Sequence, residues 1–311
     1  MTDREATIAA FLRGAGWSAA ASQALAGDAS PRRYRRLHGP GGTAILMDAP
    51  PATCGPVTPF LRVSAHLAGL GLSAPRVLAA DAAAGLILLE DLGDDDFLRV
   101  IDRGGVPEQT LYLAALDALA ALQAAPPPPD LATWTAAHMA ALTRPAFEEG
   151  QGGTQAFDHW AGPIADTLAD VCAAPPVFCH RDFHAGNLFW LPDRPGPARV
   201  GIIDHQDAFA GPAAYDLVSL LTDARRDLAP GLPDVLVRRW LDLTGGDASA
   251  LAQDMAVLAV QRNLRVHGVL TRLARTGRPH YAAFLPRVRA RLLRALDTVP
   301  ALAGLAPQVL P

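Results

Sequence analysis

The chain has 311 residues, of which 50% are hydrophobic and 19% are charged, and its formal net charge at pH 7 is -4. This composition is typical of a folded globular protein and excludes a disordered chain. The mildly acidic balance argues against a general affinity for nucleic acid, which needs a basic surface. A chain of this length exceeds what one hydrophobic core usually serves, so two lobes are expected.

The amino-terminal part of the chain mixes helical and strand patterns. Residues 2–26 are predicted as one or two helices, because apolar side chains recur there at helical spacing. Five further elements follow in chain order: strands at 33–37 and 43–47, a helix at 60–70, and strands at 77–80 and 86–89. Together these elements predict a small mixed lobe over residues 1–92.

The remaining residues, 93–311, predict a mainly helical lobe, which makes the fold class α+β. Residues 111–123 carry a strongly helical pattern, and Pro126–Pro129 stop it. Short strands are expected near three positions: 177–179, 188–190 and 200–203. The chain shows no apolar signal segment and no apolar run long enough to span a membrane, so a cytoplasmic protein without a membrane partner is expected.

One stretch of the helical lobe carries residues suited to chemistry. It contains His180-Arg181-Asp182, then Asn187, and then Asp204 at the end of an apolar strand. Phosphoryl transfer from a nucleotide needs a base that orients the acceptor hydroxyl, and oxygen ligands that hold magnesium against the phosphates. The order of these residues matches the catalytic loop and metal aspartate of protein kinases. We therefore predict Asp182 as the catalytic base and Asn187 and Asp204 as magnesium ligands.

Two neighbouring residues are predicted to have structural roles. His180 is expected to support the loop and not to carry a proton. Asp216, in Tyr215-Asp216-Leu217, is expected to anchor the catalytic loop from the start of a helix.

The motif His180–Leu188, followed by Asp204 and Ala214–Leu217, resembles the aminoglycoside phosphotransferase and choline-kinase-like family. The likeness is greatest to the bacterial anomeric kinases that phosphorylate N-acetylmuramate and N-acetylglucosamine in peptidoglycan recycling. That narrower likeness is carried by five segments: 28–34, Met47–Pro51, Leu89–Gly93, Gln206–Leu221 and Gln261–Arg265. The resemblance implies a two-lobed protein-kinase-like fold, ATP and Mg2+ as cofactors, and a sugar as substrate of a monomeric kinase.

Two sets of binding residues are expected, a cofactor set that the resemblance implies and an acceptor set chosen by position and side-chain chemistry. The cofactor set comprises a phosphate-covering turn, a cation and a hinge that offers its backbone to adenine: Asp28, Ala29, Ser30, Arg32, Leu89, Glu90, Asp91 and Leu92. The acceptor set comprises side chains able to bind sugar hydroxyls or a carboxylate: His184, Gln206, Asp207, Arg225, Asn263 and Arg265.

Two departures from the kinase pattern leave alternatives open. The strand residues 44–47 include no lysine, and the following helix offers no glutamate to pair with one. Either Arg32 or Arg33 replaces that lysine, or magnesium carries more of the phosphate charge. A nucleotide-binding pseudokinase and a kinase of aminoglycosides or choline-like alcohols are the competing functions. The arginine-rich segment 262–294 favours a neutral or anionic acceptor over a polycationic one.

Overall fold

The computed structural model describes residues 3–25, 31–39 and 41–310. In these ranges the strands are β1 Ala21–Ala24, β2 Arg33–Gly39, β3 Gly42–Asp48, β4 Val77–Asp81, β5 Leu86–Glu90, β6 Val177–Cys179, β7 Leu188–Trp190, β8 Val200–Ile202 and β9 Phe209–Gly211. The α-helices are α1 Asp3–Gly14, α2 Pro51–Cys54, α3 Thr58–Gly69, α4 Phe97–Arg103, α5 Glu108–Gln123, α6 Ala136–Ala141, α7 Arg144–Glu148, α8 Gly153–Ala173, α9 Ala214–Leu221, α10 Leu232–Thr244, α11 Ala248–Arg275, α12 Leu285–Asp297 and α13 Ala306–Val309.

The chain forms two compact units, each built from two segments. Unit 1 comprises Met1–Gly105 and Gly186–Asp207, and unit 2 comprises Val106–Ala185 and Ala208–Pro311. Contacts thus group residues 93–105 and 186–207 with the amino-terminal unit. The predicted domain boundary between residues 92 and 93 remains a prediction.

Unit 1 is organised by a five-stranded antiparallel sheet in the order β1-β2-β3-β5-β4. Because side chains alternate along a strand, each face of the sheet buries a different set of apolar residues. Leu46 of β3 packs with Ile8 of α1. Its neighbour Met47 packs with Phe60 on the opposite face, where α3 lies. The sheet is therefore covered by one helix on each side.

The second segment of unit 1 is the β7–β8 hairpin and the turn after it. The Trp190 N–H donates to the Asp95 carbonyl at 2.8 Å, and the Ile202 N–H donates to the Ser73 carbonyl at 2.8 Å. The ring centroid of Phe97 lies 6.5 Å from that of Trp190. These contacts tie the hairpin that carries Asn187 and Asp204 to unit 1.

Unit 2 packs its helices around the long helix α11. This helix begins after Asp247, whose side chain accepts a hydrogen bond of 2.7 Å from the Ala250 N–H. A carboxylate at this position satisfies an otherwise unpaired donor of the first turn. The strands β6 and β9 pair antiparallel beside the helices, and Phe209 of β9 stacks on Trp134 with ring centroids 3.6 Å apart.

Most of the predicted elements are confirmed within a few residues, and the α+β class is confirmed with them. The prediction of helix up to residue 26 is wrong, because residues 21–24 form β1. The helix α1 ends at Gly14, and Gly16 then adopts a left-handed φ of 79°. Ala21 and Ser22 pair with His38 and Leu37 of β2, so sheet pairing decides their conformation. In the described residues, no helix is long and apolar enough to cross a membrane.

Candidate active site

The catalytic loop of unit 2 follows β6 and is anchored by Asp216 on α9. The two carboxylate oxygens of Asp216 accept hydrogen bonds from the backbone N–H groups of His180 at 2.5 Å and Arg181 at 3.0 Å. Arg181 adopts a φ of 84°, which is uncommon for a residue with a side chain. The predicted anchoring role of Asp216 is confirmed. Complete burial raises the pKa of Asp216 to about 6, against the lowering effect of His180 and of those N–H groups.

The side chain of Asp182 lies between two arginines of α11. Its Oδ1 is 3.8 Å from Nη2 of Arg262, and its Oδ2 is 3.5 Å from Nη2 of Arg265. Burial on its own would raise the pKa of Asp182, but the positive charges of Arg265, Arg262 and Arg181 outweigh it and hold the pKa well below its ordinary value. Asp182 is therefore ionised at neutral pH and retains an exposed side-chain fraction of 32%.

A second polar cluster lies close to Asp182 in unit 2. Arg225 makes a 3.0 Å hydrogen bond from Nη1 to Nε2 of His184, and the same Nη1 lies 3.4 Å from the buried carboxylate of Asp223. Burial, followed by the charge of Arg225, lowers the pKa of His184 to about 4, although Asp223 acts in the opposite direction. His184 is thus neutral at pH 7, and its geometry makes it a support for Arg225. Its predicted role as a sugar ligand remains a prediction.

The acceptor residues predicted on α11 separate in the structure. Arg265 contacts Asp182, but Asn263 donates from Nδ2 to the Ala259 carbonyl of its own helix at 2.8 Å and is 2% exposed. The predicted role of Asn263 as a sugar ligand remains a prediction. Sequence reasoning missed Arg262, which lies beside Asp182. Helical periodicity held the signal, since residues 262 and 265 are three apart and share a face.

Unit 1 contains a cavity of about 730 Å³ between its sheet and the β7–β8 segment. Nine of the predicted site residues line it: Arg32, Leu89, Glu90, Asp91, Leu92, Asn187, Asp204, Gln206 and Asp207. The predicted turn Asp28-Ala29-Ser30 lies outside the described residues. A volume of this size is typical of small-molecule and cofactor sites.

Asp204 follows β8 and adopts a left-handed φ of 62°. Aspartate is one of the residues that tolerate this conformation, which occurs often at functional sites. Gln206 donates from Nε2 to Oδ1 of Asp204 at 2.8 Å. This contact orients the carboxylate, whereas the predicted contact of Gln206 and Asp207 with a sugar remains a prediction.

The structure separates the two arginines proposed to replace the missing lysine. Arg32 lines the cavity, as does Tyr34. Burial raises the pKa of Tyr34 to about 12, opposed by Arg32 and assisted by Asp204. Arg33 is exposed and, by strand alternation, lies on the opposite face from Tyr34. Arg32 is therefore the better placed of the two to meet a phosphate.

The hinge residues of the cavity use their acidic side chains for structure. Glu90 pairs with Nη2 of Arg194 at 2.9 Å, and Asp91 pairs with Nε of Arg36 at 2.7 Å. Because both carboxylates are held in ion pairs, we expect the backbone of this hinge, and not its side chains, to bind adenine. That role of residues 89–92 remains a prediction.

Helix α3 contacts the Asp204 loop through His205, a residue of that loop, and not through the glutamate–lysine pair of the kinase pattern. The Nε2 of His205 lies 2.7 Å from Oγ of Ser64, and its ring centroid lies 4.5 Å from that of Phe60. His205 is fully buried. Sequence reasoning missed this contact, because nothing local in residues 60–70 marks Ser64 as its partner.

Asn187 offers an amide oxygen and Asp204 offers a carboxylate to the same cavity. Among the described residues there is no group of three or more His, Cys, Asp or Glu side chains that could hold a metal ion on its own. This donor set fits magnesium, which usually keeps several waters and takes one or two protein oxygens together with substrate phosphates.

Comparison with known proteins agrees with this geometry. Residues 22–253 match the phosphotransferase enzyme family. The chain belongs to this family. It is 38% identical to an N-acetylmuramate/N-acetylglucosamine kinase of Caulobacter vibrioides, over 92% of this chain and 91% of that protein. It is 35% identical to a protein of the same name from Pseudomonas aeruginosa, over 89% and 84% of the two chains.

The fold is shared with solved structures of lower sequence identity. The crystal structure of a choline/ethanolamine kinase family protein from Mesorhizobium loti matches with a TM-score of 0.65 and 18% identity, over 97% of both chains. The predicted two-lobed, protein-kinase-like fold is confirmed.

Proposed function

We propose that the protein transfers the γ-phosphate of ATP to the anomeric hydroxyl of N-acetylmuramate, N-acetylglucosamine or both. Support for the sugar comes from the names of the relatives that align along most of the chain. The observation that carries the acceptor class is the charge around Asp182. Arg262, Arg265 and Arg181 all lie within 4.0 Å of this one carboxylate. Such an excess of positive charge suits a neutral or anionic acceptor and disfavours a polycationic aminoglycoside.

The nucleotide is assigned to the cavity of unit 1. Leu89 to Leu92 offer their backbone to adenine, and Arg32 meets the phosphates. Asn187 and Asp204 would hold Mg2+, which neutralises phosphate charge in this class of reaction. Gln206 keeps the Asp204 carboxylate oriented through its hydrogen bond to Oδ1.

The reacting hydroxyl of the acceptor is assigned to a position beside Asp182. An ionised carboxylate accepts a hydrogen bond from the reacting hydroxyl and so orients the oxygen for attack on phosphorus. The two backbone hydrogen bonds from the loop to Asp216 fix where Asp182 stands. Phosphoryl transfer depends mainly on positioning and asks little covalent chemistry of the protein. The fixed position of Asp182 supports the proposal in this respect.

An acceptor screen tests the proposal. The purified protein is given ATP and magnesium with N-acetylmuramate, N-acetylglucosamine, glucose, choline or kanamycin, and ADP release is measured. Phosphorus NMR of the product then identifies the phosphorylated oxygen. We expect turnover of one or both amino sugars with phosphate at the anomeric position.

The variant Asp182→Asn is the control for that screen. It keeps the shape of the side chain and removes the base, so turnover should fall by roughly 10²–10⁴-fold while ATP binding is retained. Brisk turnover of kanamycin or choline without turnover of either sugar contradicts the proposed acceptor, as does phosphate at the 6-position.

A further inference from the structure

Arg262 and Arg265 contact the two carboxylate oxygens of Asp182, and this pair of arginines is called the clamp below. Oδ1 faces Arg262 at 3.8 Å and Oδ2 faces Arg265 at 3.5 Å, so each carboxylate oxygen has its own guanidinium. The side chains of Arg262 and Arg265 are 5% and 10% exposed, whereas that of Asp182 is 32% exposed. The clamp therefore holds the carboxylate from the protein side and leaves part of it accessible.

Each guanidinium is itself fixed by a hydroxyl of helix α9. Arg262 donates from Nη2 to Oγ of Ser219 at 2.5 Å, and Arg265 donates from Nη1 to the Tyr215 hydroxyl at 3.1 Å. Ser219 and Tyr215 are four residues apart and share a helix face. Between them in sequence, Asp216 holds the backbone of the catalytic loop. Two helices thus fix both the backbone and the carboxylate of Asp182.

Three positively charged side chains lie within 4.0 Å of Asp182, and the carboxylates of Asp216 and Asp223 lie near one of them, Arg262. Arg181 lies on its own loop at 4.0 Å, Arg262 and Arg265 lie on α11, and His184 is neutral at pH 7. Positive charges at these distances stabilise the ionised carboxylate, and their effect is weakly screened because the side chains of Arg262 and Arg265 are largely buried. A carboxylate stabilised in this way is a weak base.

A weak base matches only some acceptors. Proton transfer is most effective when the base and the reacting hydroxyl differ little in proton affinity in the transition state. The hydroxyl of a hemiacetal is more acidic than that of an ordinary alcohol, because the ring oxygen on the same carbon withdraws electrons. The clamp therefore suits an anomeric hydroxyl better than a primary or secondary alcohol.

We propose that Arg262 and Arg265 are positioning residues that act through Asp182 and restrict the reaction to hydroxyls more acidic than those of ordinary alcohols. In the step itself, the acceptor oxygen forms a bond to the γ-phosphorus and its proton passes to Asp182. The bond between that phosphorus and the bridging oxygen breaks, and its electron pair leaves with ADP. This inference deepens the proposed function and rests on it for the identity of the hemiacetal.

The test compares Arg265→Gln with Arg265→Lys, which keeps the charge but not the planar fork. The quantity measured is kcat/KM for N-acetylglucosamine between pH 2.5 and 8, a range that extends below the ordinary pKa of an aspartate, with folding checked by circular dichroism at each pH. Removing the charge should move the acid limb of the profile up by about one pH unit or more. Arg265→Lys should leave the limb close to that of the unaltered protein even if its rate falls.

Tyr215→Phe separates electrostatics from support. It removes the hydroxyl that holds Arg265 and keeps every charge, so its kcat/KM should fall by a similar factor at all pH values. If Arg265→Gln behaves in the same way, with a lower rate and an unmoved acid limb, the clamp is merely structural and the inference is overturned.

Acceptor acidity provides the second readout. N-acetylglucosaminitol, the reduced open-chain sugar, offers an ordinary primary alcohol at the same carbon. The preference for N-acetylglucosamine over this alditol should shrink in Arg265→Gln and persist in Arg265→Lys; an equal preference in both variants contradicts the proposed selection.

The same measurements distinguish failure of the clamp from failure of the proposed function. If the unaltered protein phosphorylates ordinary alcohols and no hemiacetal, the proposed function and the selection of acidic hydroxyls both fail. If it phosphorylates a hemiacetal and Arg265→Gln leaves the acid limb and the preference unchanged, only the clamp fails.

Discussion

Adjacent arginines at the start of β2 have different environments, and this difference bears on the missing lysine. Arg32 lines the cavity of unit 1, whereas Arg33 is exposed on the other face of the strand. The β3 residue that lines the cavity, Ile45, carries no charge. Arg36 of β2 also lines the cavity, but it pairs with Asp91 and Asp94, so Arg32 is the better placed arginine to meet a phosphate there.

Replacing Arg32 by alanine should weaken ATP binding by roughly ten- to a hundredfold, since one charge-assisted hydrogen bond is worth about 1.5–3 kcal/mol. Arg33→Ala is the matched control and should leave the affinity unchanged. Isothermal titration calorimetry with ATP and magnesium measures both. Equal losses in the two variants would mean that general charge, and not the position of Arg32, holds the nucleotide.

A second contrast at this scale concerns the arginines predicted to meet a substrate carboxylate. Both guanidinium nitrogens Nη1 and Nη2 of Arg265 are engaged, with Tyr215 and Asp182. The hydrogen bonds of the Arg225 side chain to described residues all come from Nη1, and 29% of that side chain is exposed. Arg225 is therefore the arginine with donors to spare for a carboxylate.

If N-acetylmuramate is a substrate, Arg225→Ala should raise its KM by roughly ten- to a hundredfold and spare N-acetylglucosamine, because only the first sugar carries a carboxylate. Arg265→Ala should reduce turnover of both sugars, since that arginine contacts the base. Steady-state kinetics with both sugars and both variants measures the difference. An equal rise in KM for the two sugars in Arg225→Ala would assign Arg225 a different role.

The catalytic residues and their partners differ in how far the sequence predicts them. Asp182, Asn187 and Asp204 occur in a recognisable order, so their positions follow from local spacing. Arg262 lies far along the chain from Asp182, and only the packing of α11 on α9 brings the two together. Sequence patterns do not report which of several arginines on a helix faces an aspartate in another element.

At the scale of elements, the packing of α11 controls unit 2, because this helix carries the clamp and contacts α7, α9 and α12. Its Gly268 faces α7 at very short range. A Cβ atom there would lie 2.2 Å from the Ala146 nitrogen and 2.4 Å from the Pro145 carbonyl carbon. Backbone atoms do not move aside as a flexible side chain does, so this close helix contact requires glycine.

Gly268→Ala should lower the free energy of unfolding by about 1–3 kcal/mol, the usual cost of overpacking, even though alanine is the better helix former. Gly69→Ala is the control, because Gly69 ends α3 with nothing within 4 Å of its Cβ position. That variant should be neutral or slightly stabilising. Urea unfolding followed by circular dichroism measures both, and a neutral Gly268→Ala would show that α7 and α11 separate readily.

The sequence pattern predicted the elements with long periodic patterns and missed the one that depends on pairing. The residues of β1, Ala21–Ala24, are small or polar and exposed, so they carry no alternation that would predict a strand. Their conformation comes from hydrogen bonds to β2. By contrast, β5 is predicted by its own apolar residues, which are buried in the centre of unit 1.

At the scale of the whole molecule, buried ionisable groups make stability depend on pH. Burial lowers the pKa values of His66, His184 and His267, and that of His184 falls from an ordinary value of 6.5 to about 4. The folded chain therefore binds these protons less tightly than the unfolded chain. Asp216 acts in the opposite direction, because burial raises its pKa from 3.8 to about 6.

The free energy of unfolding should therefore decrease as the pH falls below 6.5, with each histidine contributing up to about 1.4 kcal/mol per pH unit and Asp216 offsetting part of this below pH 6. His184→Gln removes the group with the largest lowering and should flatten the dependence between pH 6.5 and 5. His280→Gln, on the exposed surface, is the control for loss of a histidine. Urea unfolding at half-unit pH steps gives the slopes. The contact of His184 with Arg225 makes protonation of His184 unfavourable in the folded protein. A steeper slope in His184→Gln than in the unaltered protein would contradict this, because it would mean that folded His184 binds its proton more tightly than the unfolded chain does.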